Sequence, residues 1–489
     1  MTARTCQSSA RAALALALLT AGMAQRVAAQ KLDRNKAPTV GKSLPLRVPT
    51  WTKTKLANGA DLIVVEKRDL PLIAVNIDFI GGAANYEPAD KLGVAAFAGQ
   101  MLSEGTKTKT ADQLSDAQQM LGTQIFAQVG SESGTIAFTS LKDKFEPAMA
   151  LLADMLLDST FPDSALERNR ARTLVGLTQA KDQPNSIAAN VFTKVVYGDE
   201  HPYGRVVSER TVKAITRDDV TSFAKSYFRP GRAVITVSGD IDPKTARAVV
   251  ERTLAAWPSG GERPTFAYGS VPAPKQRMIY LIDKPKAAQS VFAFGEPGPP
   301  RSTPDYYALQ VMNRLLGGMF QSRLNHDIRE VKGFSYGVNS SFAYGRGPGA
   351  FRAGGGIVSA KSDSALMGFI THFKGVQGDM PFTDDEVTMG KESLIQSLPS
   401  RFSTVNGIAG AISSIYTQDL PETYFKDYAS KIDAVTKDDL TRVAKKYIDV
   451  DHMNLVIVGD RASIEGPLKA TGIAPIQVLD VDGHPILVP

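Results

Sequence analysis

An internal repeat is the feature that most limits how this chain of 489 residues can fold. The segment Ile215–Tyr227 leads into an apolar run that ends at Gly239-Asp240, and the same pattern returns 220 residues later, from Val435 to Asp460. The positions that are identical in both copies, without a gap, are Thr216, Asp218, Asp219, Thr221, Ala224, Lys225, Tyr227, Gly239 and Asp240. Solenoid repeats have periods of about 20 to 50 residues, so this longer spacing predicts two homologous domains of about 220 residues each.

Each copy is predicted to combine strands with helices. Thr216 and Thr436 are N-cap residues ahead of acidic first turns, which indicates a helix followed by a β-branched strand. In the first copy, the apolar patterns at Leu62–Glu66 and Leu72–Ile80 predict strands. Further helices are predicted at residues 92–103, 111–121, 145–157 and 164–181. The fold class is therefore expected to be α+β, with each domain a mostly antiparallel or mixed sheet that has helices packed on one face.

The first 29 residues have the organisation of a secretory signal peptide. Arg4 and Arg11 precede the apolar stretch Ala12–Leu19, and the segment ends in the small residues Ala28 and Ala29. We therefore expect an exported protein, periplasmic or secreted. No later window reaches about 18 uninterrupted apolar residues, so no integral membrane segment is expected.

Composition excludes several kinds of chemistry. The single cysteine, Cys6, leaves with the predicted signal, so disulfides, thiolate nucleophiles and cysteine-ligated zinc are excluded from the mature chain. The formal charge is +6, but half of that excess comes from Arg4, Arg11 and Arg26 of the signal, which contains no acid. A nucleic-acid partner is therefore not expected.

One catalytic motif fails on its context, and the histidines lack the spacing of a metal site. Gly333–Gly337 matches the nucleophile elbow around Ser335, but a helical pattern at residues 320–330 precedes it and a strand pattern at residues 338–342 follows. An elbow needs the opposite order. The five histidines are scattered, and no two are three or four residues apart, as a helical metal pair would require. They are His201, His326, His372, His452 and His484.

The order of short motifs resembles the pitrilysin/insulinase-type zinc metallopeptidases. The resemblance rests on Asn58-Gly59, Gly81-Gly82, Glu87-Pro88, the helix Gly93–Leu102 and Glu104-Gly-Thr106, and it continues through Asp182-Gln-Pro184 and His201-Pro-Tyr-Gly204. In active members the helix carries His-x-x-Glu-His, which supplies two zinc ligands and a general base, and a further glutamate ligand follows. The resemblance places Ala96, Gly99, Gln100 and Gly176 at these four positions. It therefore implies a degenerate member in which this chain binds no zinc and contributes no catalytic residue of its own.

The second copy resembles the C-terminal domain of the same family through Asn313–Gly318, Ser322–Leu324 and Gly333–Tyr336. In that domain an arginine and a tyrosine seven residues apart contact the substrate backbone, and Arg329 and Tyr336 have this spacing. The other interpretation is that Arg329 pairs with Asp327 or Glu330 and that Tyr336 is a half-buried strand residue.

The sequence thus predicts five segments: a signal at 1–29, an N-terminal domain at 45–258, a Pro/Gly-rich linker at 259–275, a C-terminal domain at 276–475 and a tail at 476–489. The resemblance implies the non-catalytic half of a clam-shell heterodimer, whose homologous partner bears the zinc, and it implies peptide substrates. Two alternatives stay open. One is a peptide-binding or scaffolding protein without hydrolytic activity, such as a homodimer, and the other is an independent hydrolase with a relocated site.

Overall fold

Two six-stranded sheets form the framework of the protein. The computed structural model describes residues 46–271 and 274–486, so the predicted signal lies outside the described residues. The strands are β1 Thr52–Lys55, β2 Asp61–Glu66, β3 Leu72–Ile80, β4 Phe126–Val129, β5 Ser133–Leu141, β6 Ala233–Gly239, β7 Met278–Asp283, β8 Gln289–Pro297, β9 Ser335–Phe342, β10 Ala350–Val358, β11 Asn454–Gly459 and β12 Ile476–Leu479. β12 falls in the segment that the sequence set apart as a tail.

Five strands of each sheet share one topology, as the repeat predicts. The sixth differs, because β1 precedes the other strands of its sheet and is antiparallel to β2, whereas β12 follows the other strands of its sheet and is parallel to β7. The first has the order β1-β2-β6-β3-β5-β4, and the second has the order β12-β7-β11-β8-β10-β9. β2 with β6, and β11 and β12 with β7, are parallel pairs, while the other neighbours are antiparallel. The predicted α+β class with mixed sheets is therefore confirmed.

Helices connect and cover the strands. They are α1 Ala83–Tyr86, α2 Val94–Gln100, α3 Ala111–Leu121, α4 Phe145–Asp158, α5 Asp163–Ala180, α6 Pro184–Tyr197, α7 Glu209–Ala214, α8 Arg217–Tyr227, α9 Pro243–Thr253, α10 Tyr306–Leu316, α11 Arg323–Asn325, α12 Ser362–Lys374, α13 Asp384–Ser397, α14 Val405–Thr417, α15 Tyr424–Asp433, α16 Lys437–Tyr447 and α17 Arg461–Ala470. A π-helix at His326–Val331 continues α11. No helix of the described residues is long and apolar enough to cross a membrane.

The repeated helices α8 and α16 begin as the sequence predicts. The Thr216 hydroxyl accepts a hydrogen bond from the Asp219 amide at 3.2 Å, while the Asp219 carboxylate accepts one from the Thr216 amide at 2.7 Å. Thr436 and Asp439 repeat this reciprocal pair at 3.2 and 3.0 Å. Each pair satisfies two backbone donors, so this capping box fixes the start of both helices.

A buried carboxylate at the start of α10 binds α16. The Asp305 carboxylate, 8 % exposed, accepts hydrogen bonds from Arg442 at 2.7 Å, Lys446 at 2.9 Å and the Tyr447 hydroxyl at 2.8 Å. Burial alone would raise the pKa of Asp305, but these three donors outweigh it and lower the pKa to about 2.

Each domain sends one helix to the sheet of the other domain. The two helices, α6 and α14, occupy corresponding positions in the repeat. Ile187 and Val191 of α6 are buried against Val291 and Val456 of the second sheet. In the same way, α14 packs on β3 and β6 of the first sheet. The helices of each domain therefore cover one face of its sheet, as predicted, and the helix from the other domain covers the second face.

A buried carboxylate holds the exchanged helix α14 in place. Asp78 of β3 accepts hydrogen bonds from the hydroxyl of Thr135, at 2.6 Å, and from the hydroxyl of Ser413 on α14. Burial raises the pKa of Asp78, and the two hydroxyl donors act against this by stabilising the carboxylate.

The helix predicted at residues 320–330 is shorter than expected. Gly317 and Gly318 both donate to the Asn313 carbonyl and end α10. Ser322 then has an extended backbone, with φ −62° and ψ 154°, so the helix begins only at Arg323.

Candidate functional site

The helix that the family resemblance singles out is α2. Ala96 is half-buried on it and lines a cavity of about 250 Å³, together with Glu87, Tyr203 and Arg205. Gly99 is buried, whereas Gln100 is exposed. The predicted helix 92–103 is α-helical over Val94–Gln100 and continues as a 3₁₀ turn over Met101–Ser103.

Gly99 lies where β4 crosses close to α2. A Cβ atom at position 99 would lie 3.1 Å from the Cα of Gln128 and 3.2 Å from the backbone nitrogen of Val129. Both contacts are with backbone, which cannot rotate away as a side chain would. A glutamate at position 99 would therefore require β4 to move.

The start of α2 is fixed by a residue to which the sequence analysis gave no role of its own. Oε1 of Glu87 accepts hydrogen bonds from the amides of Gly93, at 3.0 Å, and Ala95, at 2.7 Å. Burial raises the pKa of Glu87, while these two amide donors favour its ionised form. Glu87 satisfies free donors at the helix N-terminus, which is a structural role.

The residues at the four implied positions do not fit zinc. Gly176 is exposed on α5, and a Cβ there would meet nothing within 4 Å. Alanine and glycine carry no donor atom in their side chains, and a glutamine amide is a poor zinc ligand. Within residues 46–271 and 274–486, no group of three or more His, Cys, Asp or Glu side chains could hold a metal ion.

Arg329 lies in the π-helix, with its side chain 37 % exposed. Its Nε is 3.1 Å from Oε1 of Glu330, and its guanidinium lies over the Phe320 ring at 4.5 Å from the centroid. Arg329 therefore does pair with its neighbour. That pair is partly open to solvent, so it costs little to rearrange.

Tyr336 is on β9, at the edge of the second sheet, and 88 % of it is exposed. It is therefore not half-buried. The π-helix is tied to the start of β9, because the Gly333 amide donates to the Arg329 carbonyl at 3.1 Å and the Phe334 amide donates to the Ile328 carbonyl at 2.9 Å. Arg329 and Tyr336 are thus carried by two adjoining elements. Among the described residues, the Arg329 side chain contacts Glu330 and Phe320, and it forms no hydrogen bond with the Tyr336 hydroxyl.

A partly exposed polar contact, not anticipated from the sequence, anchors the π-helix. Oδ2 of Asp327 is 2.7 Å from Nζ of Lys332 and 3.1 Å from Nε2 of His372 on α12. Burial lowers the pKa of His372, although Asp327 acts in the opposite direction. Asp327 and His372 are 45 residues apart, so sequence spacing could not reveal the contact.

Ser335 is unsuited to act as a nucleophile. It is the first residue of β9 and follows the π-helix, so the reversed order predicted for the elbow is confirmed. Its hydroxyl donates to the Gly356 carbonyl at 2.7 Å and accepts a hydrogen bond from the Gly337 amide at 3.0 Å. The hydroxyl thus stabilises the pairing of β9 with β10.

Comparison with known proteins identifies the family. The model described as "Insulinase (Peptidase family M16)" matches residues 67–204, and the model described as "Peptidase M16 inactive domain" matches residues 214–394. An uncharacterized zinc protease of Bacillus subtilis is 26% identical over 285 residues, which are 58% of this chain and 68% of that protein. An uncharacterized zinc protease of Streptomyces coelicolor is 24% identical over 388 residues, 77% of this chain and 81% of that protein.

Solved structures agree. The crystal structure of a peptidase M16 inactive domain from Pseudomonas fluorescens has a TM-score of 0.77 and 27% sequence identity, over 84% of this chain and 98% of that chain. A protease from Helicobacter pylori also has a TM-score of 0.77, over 84% of this chain and 99% of that chain, and at 17% identity it supports the fold alone. The chain belongs to the M16 (insulinase) family of peptidases, with the family's N-terminal domain followed by its inactive domain.

Proposed function

We propose that this chain is the non-catalytic subunit of an exported heterodimeric zinc metallopeptidase. In this assignment Ala96, Gly99, Gln100 and Gly176 stand where an active member has its zinc ligands and general base. The observation that carries the proposal is the packing of α2 on β4, because a Cβ at Gly99 would lie 3.1 Å from the Gln128 backbone. The sequence has no glutamate at position 99, and the packing of the helix in addition leaves no room for one.

The second part of the proposal is that Arg329 and Tyr336 act in the active site of a homologous, zinc-bearing partner. The guanidinium and the phenol are hydrogen-bond donors at neutral pH, which suits them to a peptide carbonyl and to the oxyanion that develops from it. The exposure of Tyr336, 88 %, supports a role outside this chain, since its hydroxyl is open to an incoming group. The contact between Asp327 and His372 would hold the π-helix in position for that role.

The test is to mix this chain with a zinc-bearing homologue and to follow cleavage of a fluorogenic peptide. We expect the mixture to cleave far faster than either chain alone. Arg329→Ala and Tyr336→Phe should each lower the rate of the mixture by about a hundred- to a thousandfold, the range for loss of one oxyanion donor.

Matched variants separate this role from a general loss of structure. Arg247→Ala breaks a similarly exposed ion pair with Glu251, and Tyr280→Phe removes a hydroxyl from β7. Both should leave the rate unchanged. The proposal fails if the zinc-bearing homologue cleaves equally well alone. Peptide binding by this chain without any gain in cleavage would favour the scaffolding alternative.

A further inference from the structure

A cavity of about 340 Å³ lies where the two domains meet the linker. The first domain contributes Glu132, from the turn between β4 and β5, and the linker contributes Phe266 and Tyr268. The second domain contributes Arg301 and the turn between β9 and β10, including Arg346. Polar and aromatic side chains thus converge here from parts of the chain that are distant in sequence.

Arg301 is an unpaired cation in the wall of this cavity. Its Nη2 is buried and makes no hydrogen bond, and no carboxylate of the described residues lies within 4.0 Å of the guanidinium. The guanidinium stacks on Tyr306, at 3.4 Å from the ring centroid, and is 5.1 Å from that of Tyr424. A cation–π contact compensates only part of the cost of burying a charge, so an anion is the missing partner.

Glu132 is the complementary anion, and no cation of the described residues pairs with it. The Tyr203 hydroxyl is its neighbour, since burial and the hydrogen bond to Glu132 both raise the pKa of Tyr203. One carboxylate oxygen, Oε2, accepts a hydrogen bond from the Arg346 amide at 2.9 Å, while Oε1 is buried without a partner in the described part of the chain. No lysine or arginine of that part forms a salt bridge with it. The Arg346 side chain is engaged in the same cavity wall by Asp419 and the Thr417 carbonyl, so it does not neutralise Glu132.

Glu132 and Arg301 therefore line one cavity and do not pair with each other. Two half-buried opposite charges that are held apart, each with one buried atom that lacks a partner, are best satisfied by a ligand that carries both an ammonium and a carboxylate. We propose that this cavity binds a small zwitterion with an apolar side chain, an amino acid or a dipeptide, whose ammonium contacts Glu132 and whose carboxylate contacts Arg301.

Size and lining agree with such a ligand. A volume of about 340 Å³ is at the lower end for ligand pockets, which favours a small molecule over a folded segment or a long peptide. Phe266, Tyr268, Tyr344 and Leu420 supply apolar and aromatic surface for a side chain. Binding here needs no partner subunit, so the inference does not depend on the proposed function.

Titration calorimetry on the full chain tests the proposal without any variant. The probes are L-phenylalanine and L-alanyl-L-phenylalanine, together with an N-acetylated and a C-amidated form of each. At least one zwitterion should bind with a dissociation constant of about 1 mM or lower, and blocking either end should weaken binding by about tenfold or more. A preference between the two zwitterions identifies the ligand as an amino acid or a dipeptide.

Variants then assign each end of the ligand. Glu132→Gln should remove the penalty of N-acetylation, and Arg301→Gln should remove the penalty of C-amidation. Glu146→Gln and Arg252→Gln make the same charge changes in an exposed ion pair away from the cavity and should change neither affinity. The proposal is overturned if neither zwitterion binds to the wild-type chain, or if the blocked forms bind as tightly as the free ones.

Discussion

Gly99 and Gly176, which occupy two of the four positions that the family resemblance implies, should respond differently to substitution by alanine. We expect one variant to be less stable than the wild type and the other to be more stable. Gly→Ala inside a helix normally stabilises by about 0.5–1 kcal/mol, because alanine loses less conformational freedom on folding. Gly176→Ala should show this gain, since α5 is exposed there and nothing lies within 4 Å of the new Cβ.

Gly99→Ala should instead destabilise. Its Cβ would lie 3.1 Å from the Gln128 Cα, closer than ordinary van der Waals contact at 3.4–4 Å, so β4 or α2 must shift by a few tenths of an ångström. Overpacking of this kind costs about 1–3 kcal/mol, which exceeds the helical gain and leaves a net loss of about 1 kcal/mol. Gly99→Glu should cost more, because it would also bury a carboxylate.

Thermal unfolding followed by circular dichroism provides the assay, with the two alanine variants measured beside the wild type. We expect the melting temperature to rise for Gly176→Ala and to fall for Gly99→Ala. If Gly99→Ala is as stabilising as Gly176→Ala, the close approach of β4 does not restrict position 99. The packing of α2 on β4 would then not be adapted to the absence of a glutamate.

Two further predictions concern buried carboxylates. Because the pKa of Asp305 is lowered to about 2, its ion pairs should stabilise the fold above about pH 4 and be lost as the pH falls towards 2. Asp305→Asn should therefore lower the melting temperature at pH 6 by an amount equivalent to about 1–2 kcal/mol, and it should lower it much less at pH 2. Asp384→Asn is the control, because this carboxylate is 88% exposed, and it should have little effect on the melting temperature at either pH. Ser413→Ala should destabilise the folded chain by about 1–3 kcal/mol, because it leaves Asp78 with one hydroxyl donor. Ser414→Ala removes only a hydrogen bond within α14 and should destabilise the chain less. Equal losses in the unfolding midpoint of the two variants would contradict this prediction.

Local signals were sufficient for much of the fold. β3 and α3 have the bounds that the hydrophobic pattern predicts, and Thr216 and Thr436 begin their helices as predicted. These features depend on residues a few positions apart, so one segment of sequence contains the whole signal. Because the sequence repeats, the elements predicted for the first domain could also be predicted for the second.

The exchange of α6 and α14 could not be predicted in this way. Amphipathic helices show that they have an apolar face, but the sequence does not show which sheet will cover it. The contact between Asp327 and His372 and the cavity between Glu132 and Arg301 have the same origin, since each joins residues from separate elements. Exposure of Tyr336 also depended on the sheet order, which places β9 at an edge.

The measurement that tests the central claim most directly is the effect of Tyr336→Phe on the steady-state kinetics of the mixture with a zinc-bearing homologue. Tyr336 is 88 % exposed, so loss of its hydroxyl should not change the stability of this chain. If the hydroxyl donates to the developing oxyanion in the partner's site, kcat should fall by about a hundredfold or more while KM changes little. An unchanged kcat, with the two chains still associated, would contradict the account.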